Sequence, residues 1–200
     1  MLDSIVRPII DVPLTELSRH LVRIGISANL MTLLGLTMGL AAMIAIIYKS
    51  FYIGLVCIIL NRLADGLDGA IARHTQLTDF GGFFDIVADF ITYSGVIFAF
   101  AIALPEQQFW ACFLIFSYIG PISSFLAYAI IAGKRNITTE QRGIKSFYYL
   151  GGICEGTETA MVMVTICLLP EYFASVCLFY GICCWITTAG RVYCAWSDFT

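Results

Sequence analysis

Six stretches of this chain are long and apolar enough to cross a bilayer, and that succession limits the fold more than any other feature. They run at about 28–48, 52–73, 82–104, 108–132, 147–169 and 171–193. A hydrocarbon core of about 30 Å takes roughly 20 residues of α-helix. Lipid admits only segments that satisfy their own backbone hydrogen bonds. The chain therefore reads as an all-α polytopic membrane protein with six transmembrane helices. Hydrophobic residues make up 60% and charged residues 12% of its 200 positions, where soluble domains carry roughly 25% charged. A water-soluble globule could not hide that much apolar surface. No basic surface suited to nucleic acid is visible.

The N-terminal residues 1–22 are different. Ile5, Ile9, Val12, Leu17, Leu21 and Val22 alternate with charges, and Pro8 and Pro13 interrupt them. This predicts an interfacial amphipathic helix, or two short ones, ahead of a membrane domain at 23–200. No apolar core leads into a small-residue cleavage site, so the segment is not read as a signal peptide. Leu104-Pro105-Glu106 and Leu169-Pro170-Glu171 predict hairpins, because proline disfavours a continuing helix. The eight cysteines lie mostly within apolar runs and form no CxxC pair. They read as small buried hydrophobes rather than disulfides or zinc ligands.

Basic residues set the orientation. With the N-terminus in the cytoplasm, the inside segments hold Arg7, Arg19, Arg23, Arg73, Lys134, Arg135, Arg142, Lys145 and Arg191, and the outside loops hold only Lys49. Nine against one puts the end of the second span and the start of the third on the cytoplasmic side.

Those two helix ends carry the acids. Residues three and four apart share a helix face. Asp65, Asp68, Gly69 and Ala72 therefore line one face of the second span, and Asp85 and Asp89 line one face of the third. A short turn makes the helices antiparallel neighbours, so the four carboxylates can converge. Each acid in a membrane helix costs about 2.5–3.5 kcal/mol on insertion scales, and converging acids repel one another. Arg62 and Arg73 are too few to neutralise four aspartates. Divalent cations would answer both problems, and carboxylate oxygens suit Mg²⁺, Mn²⁺ or Ca²⁺. Magnesium keeps positions open for phosphate oxygens, which points to a phosphate or diphosphate ligand. Gly69 and Ala72 leave room for it, and the planar fork of Arg73 could meet it.

The run Asp65-x-x-Asp68-Gly69-x-x-Ala72-Arg73, followed by Gly81-x-x-x-Asp85-x-x-x-Asp89, resembles the signature of the CDP-alcohol phosphotransferases. Seven residues, His74 to Phe80, separate the two halves, slightly fewer than the signature usually has. The resemblance implies transfer of a substituted phosphate from a CDP-linked donor to an acceptor hydroxyl, with release of CMP. It implies that Asp65, Asp68 and Asp85 hold a pair of Mg²⁺ or Mn²⁺ ions. Asp89 would help bind metal and act as the base. Gly69, Ala72 and Arg73 would contact the CDP moiety. The donor would be a CDP-linked lipid such as CDP-diacylglycerol, placing the enzyme in phospholipid biosynthesis. A membrane prenyltransferase acting on an isoprenoid diphosphate and a divalent-cation transporter are the alternatives.

Other residues carry less specific signals. The family often has Pro-Asn-x-x-Thr where this chain has Ala28-Asn29-x-x-Thr32. Asn29 and Thr32 are thus candidates for nucleotide contact, with simple helix capping around Ser27 as the alternative. Glu155 and Glu158, with Thr157 and Thr159, fall two to three turns inside the fifth predicted span. They could line an acceptor pocket, neighbour the metal site or pair with Arg62. Arg142, Lys145 and Arg191 could bind an acceptor phosphate. Glu155, Glu158, Tyr148 and Tyr149 would suit an amine acceptor. Lys134 and Arg135 suit anchoring to anionic lipid. Gly35-x-x-x-Gly39 and Gly152-x-x-x-Gly156 predict close helix packing, within the bundle or in a homodimer.

Overall fold

The computed structural model describes residues 3–135 and 152–200, with backbone alone for 3–10. Arg142, Lys145, Tyr148 and Tyr149 lie outside the described residues. Every described element is helical. Helix α1 is Asp3–Arg23, α2 Ala28–Ile47, α3 Phe51–His74, α4 Asp79–Ala103, α5 Gln108–Lys134, α6 Gly156–Leu168 and α7 Phe173–Phe199. Helix α1 is one piece, continuing through Pro8 and Pro13.

The predicted hairpins are present as single 3₁₀ turns, Pro105–Gln107 and Pro170–Tyr172, each with proline at its start. Proline fits there because its missing N–H has no helical partner in a first turn. Ser27 caps α2 by accepting from the Leu30 amide at 3.3 Å, and Thr78 caps α4 by accepting from Gly81 at 3.1 Å. Ser27, rather than Asn29, is the capping residue.

Among the described residues, four helices are long and apolar enough to cross a membrane: α2, α4, and α5 and α7 with their 3₁₀ turns. Helix α3 has the length, but its second half carries Asn61, Arg62, Asp65, Asp68 and Arg73. One prediction needs correction. Glu155 and Glu158 are not two to three turns inside a helix, because α6 begins at Gly156. Glu155 is its N-cap, and the pair forms a capping box that satisfies amides at the helix start.

The helix ends fall into two sets. At one end, Phe51 stacks on Phe100 and Phe100 on Phe173, with ring centroids 5.4 and 5.1 Å apart. Ile46, Ile58, Val96, Ile97, Leu114, Met163 and Ile166 fill the apolar core that includes these rings. At the other end lie the start of α2, the end of α3 and the start of α4. The end of α5 meets the end of α7, where Tyr128 donates to Asp198 at 2.7 Å and Arg135 to the Phe199 carbonyl at 2.7 Å. Large apolar side chains such as Ile44, Val56, Phe98, Ile130 and Phe179 face outward, as expected where lipid is the solvent.

Helix α1 docks on this bundle. Leu14, Leu21 and Val22 pack with Met31, Leu67 and Ile71, whereas Val12 and Leu17 remain exposed. Both predicted glycine pairs pack within the chain. Gly35 and Gly39 let α2 approach α3 and α4: a Cβ on Gly39 would lie 2.7 Å from Thr92 Oγ1. Gly152 abuts Thr187 and precedes α6, so its spacing to Gly156 is not a helical one.

Gly39→Ala should therefore lower thermal stability in detergent, by about 1–3 kcal/mol for overpacking. Gly69→Ala is the control, since a Cβ there meets only the flexible Arg73 Nη1 at 3.5 Å. It should unfold at or above the wild-type temperature, as alanine favours helix. Equal melting temperatures for the two variants would count against this packing of α2.

Candidate active site

Helical periodicity places Asp65 and Asp68 on one side of α3, and the connection 75–78 returns the chain as α4 with Asp85 facing them. One carboxylate oxygen from each of Asp65, Asp68 and Asp85 lies within 4.8 Å of the others. The short spacer is absorbed by the helices, which extend to His74 and from Asp79 and leave only a tight turn. Asp68 is buried, while Asp65 and Asp85 are half-buried. Thr32 Oγ1 donates to Asp68 Oδ2 at 2.6 Å, so α2 orients one member of the triangle directly.

Asp89 lines the same cleft but is held differently. Arg62 Nη2 donates to its Oδ1 at 2.8 Å, and the Tyr93 hydroxyl donates to its Oδ2 at 2.9 Å. Arg62 Nη1 also donates to the Tyr93 oxygen at 2.7 Å and lies 3.6 Å from Asp65 Oδ2. Arg62 Nε donates to Asn61 Oδ1 at 2.8 Å, and Asn61 Nδ2 to the Gly35 carbonyl at 2.8 Å. Sequence reasoning weighed Arg62 only as a counter-charge and missed Tyr93 and Asn61. The signal for Tyr93 was its position one turn beyond Asp89 on α4.

Among the described residues, the cleft gathers four carboxylates around one guanidinium. Of these charges, three anionic ones remain if all are ionised (four minus one). Oxygen-only donors, converging and undercompensated, fit a hard divalent cation better than a soft one. Asp65, Asp68 and Asp85 together could hold such an ion.

Of the predicted CDP-contact residues, Thr32 lines the acidic cleft, and the others lie at the start of α2 and the end of α3. Gly69 is open apart from the Arg73 tip, and Arg73 is exposed beside it. Arg73 Nη2 lies 3.6 Å from Asp11 Oδ1 of α1, rather than on the site acids. Asn29 sits against the start of α4: its Oδ1 would be 3.1 Å from a Cβ on Gly81. Ala72 is half-buried on the same stretch of α3.

Of the acceptor candidates, Glu155 and Glu158 stand at the N-terminus of α6, where Glu155 Oε1 accepts from Gly152 and Glu158 Oε2 from the Glu155 amide, both at 3.2 Å. That terminus abuts the acidic cleft, since a Cβ on Gly156 would lie 3.6 Å from the Tyr93 hydroxyl. Arg191 is buried against α5, with Nη1 donating to the Pro121 carbonyl at 2.7 Å and its guanidinium 5.9 Å from the Phe125 ring.

The chain is 45% identical over its full length, and 96% of the relative's, to the inner membrane protein YnjF of Escherichia coli. It is 27% identical to the archaetidylinositol phosphate synthase of Pyrococcus horikoshii, over 95% of this chain and 94% of that one. The fold matches the Mycobacterium tuberculosis phosphatidylinositol phosphate synthase PgsA1 with CDP-DAG bound, with a TM-score of 0.72 at 21% identity, covering 92% of this chain and 93% of that one. A second structure of that synthase, in complex with manganese and citrate, matches with a TM-score of 0.71 at 20% identity over 92% and 88%. The family model for CDP-alcohol phosphatidyltransferases matches residues 25–193, and the chain belongs to that family.

Proposed function

We propose that this membrane enzyme transfers a phosphatidyl group from CDP-diacylglycerol to the hydroxyl of an alcohol acceptor, releasing CMP, as a step of phospholipid biosynthesis. The observation that carries this is the carboxylate triangle of Asp65, Asp68 and Asp85, which lies within the stretch that the family model matches. Two ions, Mg²⁺ or Mn²⁺, are the proposed complement. When bound, they would neutralise the diphosphate and stabilise the departing CMP.

The remaining roles belong to the chain. Thr32 fixes Asp68, and Asn29 borders the nucleotide side. Gly69 and Ala72 let the donor approach the α3 backbone, and Arg73 offers its fork to a phosphate oxygen. Asp89 accepts the acceptor's proton as the new O–P bond forms and the bond to CMP breaks. Asp89 lies one helical turn beyond Asp85, towards Tyr93 and α6, which supports acceptor entry from that side. Glu155 and Glu158 at the start of α6 are proposed to border the acceptor. Arg142, Lys145 and Arg191 are proposed to serve if the acceptor carries phosphate.

We further infer six membrane spans, with α3 and the segment containing α6 joining the four apolar ones. The site end faces the cytoplasm, supported by the basic residues gathered there. The exposed Val12 and Leu17 of α1 support its lying at the interface, and two copies are proposed to associate in the membrane.

Purified protein given CDP-diacylglycerol and a panel of alcohols should release CMP and yield a new phospholipid by mass spectrometry. No product with any alcohol would sink the assignment. Mn²⁺ at about 100 times its dissociation constant should add about 2.7 kcal/mol of stability. Asp68→Asn should lose most of that gain, and excess EDTA should abolish turnover. A cation-independent enzyme would refute the metal role.

Asp89→Asn should keep much of the donor affinity and lose about 10²–10⁴-fold in rate, the usual range for general-base assistance. Weakening of donor binding to the same degree as in Asp85→Asn would make Asp89 a metal ligand only. For topology, in a variant freed of its native cysteines, Lys49→Cys should label from outside and Arg135→Cys from inside with an impermeant maleimide. The reverse pattern would invert the orientation.

A further inference from the structure

Asp89 is the most elaborately held carboxylate in the cleft. Each of its oxygens accepts a different donor, Arg62 Nη2 at 2.8 Å and the Tyr93 hydroxyl at 2.9 Å. The two donors are themselves joined at 2.7 Å, which closes a three-membered ring of hydrogen bonds. The Tyr93 ring also lies beneath the Arg62 guanidinium, 4.9 Å from its centre. Two contacts on separate oxygens fix both the direction and the rotation of a carboxylate, and a charged donor makes the bonds short and strong. Each oxygen still has a lone pair in reserve.

The ring is anchored from outside. Arg62 is tied through Asn61, itself buried, to the backbone of α2 at Gly35. Tyr93 is buried, and its hydroxyl faces the start of α6 at Gly156. Helices α2, α3, α4 and α6 thus all bear on the orientation of one side chain. A counter-charge alone would need neither the tyrosine nor the amide.

We propose that Arg62 and Tyr93 are positioning residues for the reaction: they hold the Asp89 carboxylate at the angle from which it receives the acceptor's proton. This rests on the base role proposed for Asp89 above. They act on rate through Asp89 and not on donor binding. Tyr93 is the cleaner of the two, because Arg62 also lies 3.6 Å from Asp65 Oδ2.

The test is a double-mutant cycle on the full-length protein with Mn²⁺, CDP-diacylglycerol and whichever alcohol of the panel turns over fastest. Tyr93→Phe keeps the ring beneath Arg62 and removes only the hydroxyl. It should lower kcat about 10-fold, with donor affinity within about 3-fold of wild type. Arg62→Gln should lower kcat further, with Arg62→Lys recovering part of the loss. On an Asp89→Asn background, Tyr93→Phe should cost nothing more, because residues acting through one group are not additive.

Losses that multiply in the double variant would overturn the proposal, since they would mean that Tyr93 acts independently of Asp89. So would an unchanged kcat in Tyr93→Phe, or a loss confined to donor affinity. Near-wild-type turnover in Asp89→Asn would instead remove the base role itself, a different failure read from a different variant. If Arg62→Gln does not fold, Tyr93→Phe and its cycle still decide. Wild type without turnover on any alcohol overturns the parent assignment and this inference with it.

Discussion

The structure depends on holding several carboxylates together at the ends of two helices that sit among apolar neighbours. Acids in such a place are costly singly and repulsive together. One carboxylate oxygen from each of Asp65, Asp68 and Asp85 nevertheless lies within 4.8 Å of the others, with a single guanidinium among them in the described residues. Arg62 and Thr32 offset only part of that charge. The helix register puts the acids on facing sides, and the tight 75–78 connection keeps the two helices from separating.

Helix α2 supplies the precision. Its first turn brings Thr32 to Asp68, and its Gly35 carbonyl receives Asn61. Gly35 and Gly39 make this approach possible, because a side chain at either would strike Ala64 or Thr92. A small-residue pair that could have joined two copies instead brings a polar helix face within hydrogen-bonding distance of the acids. The apolar half of the bundle, centred on Phe100, Phe173 and Ile97, holds the opposite ends by apolar and ring packing. The molecule therefore divides along its length into a packed end and a chemical end.

The start of α6 shows how a long apolar run can mislead. The apolar run at 147–169 reads as one continuous span, yet α6 starts only at Gly156. Glu155-x-x-Glu158 has the spacing of a capping box, and in retrospect it marked the boundary. The consequence is functional. Two acids that would be isolated inside a membrane helix stand at a helix terminus instead, hydrogen-bonded to amides and close to Tyr93.

The spacing of Asp65, Asp68 and Asp85 made the acidic faces, the short connection and the divalent-cation chemistry legible from sequence alone. Helical periodicity is local: a residue's face follows from its distance to neighbours in the same segment. The two Leu-Pro-Glu breaks were legible for the same reason. Which side chain answers which was not. Arg62 goes to Asp89 and Tyr93, Arg73 lies nearest Asp11 on α1, and Arg191 turns to a carbonyl of α5. Those choices depend on how far each helix is rotated and how closely it is packed. Only the tertiary structure decides them, because the competing partners lie on different helices and differ by a few ångströms.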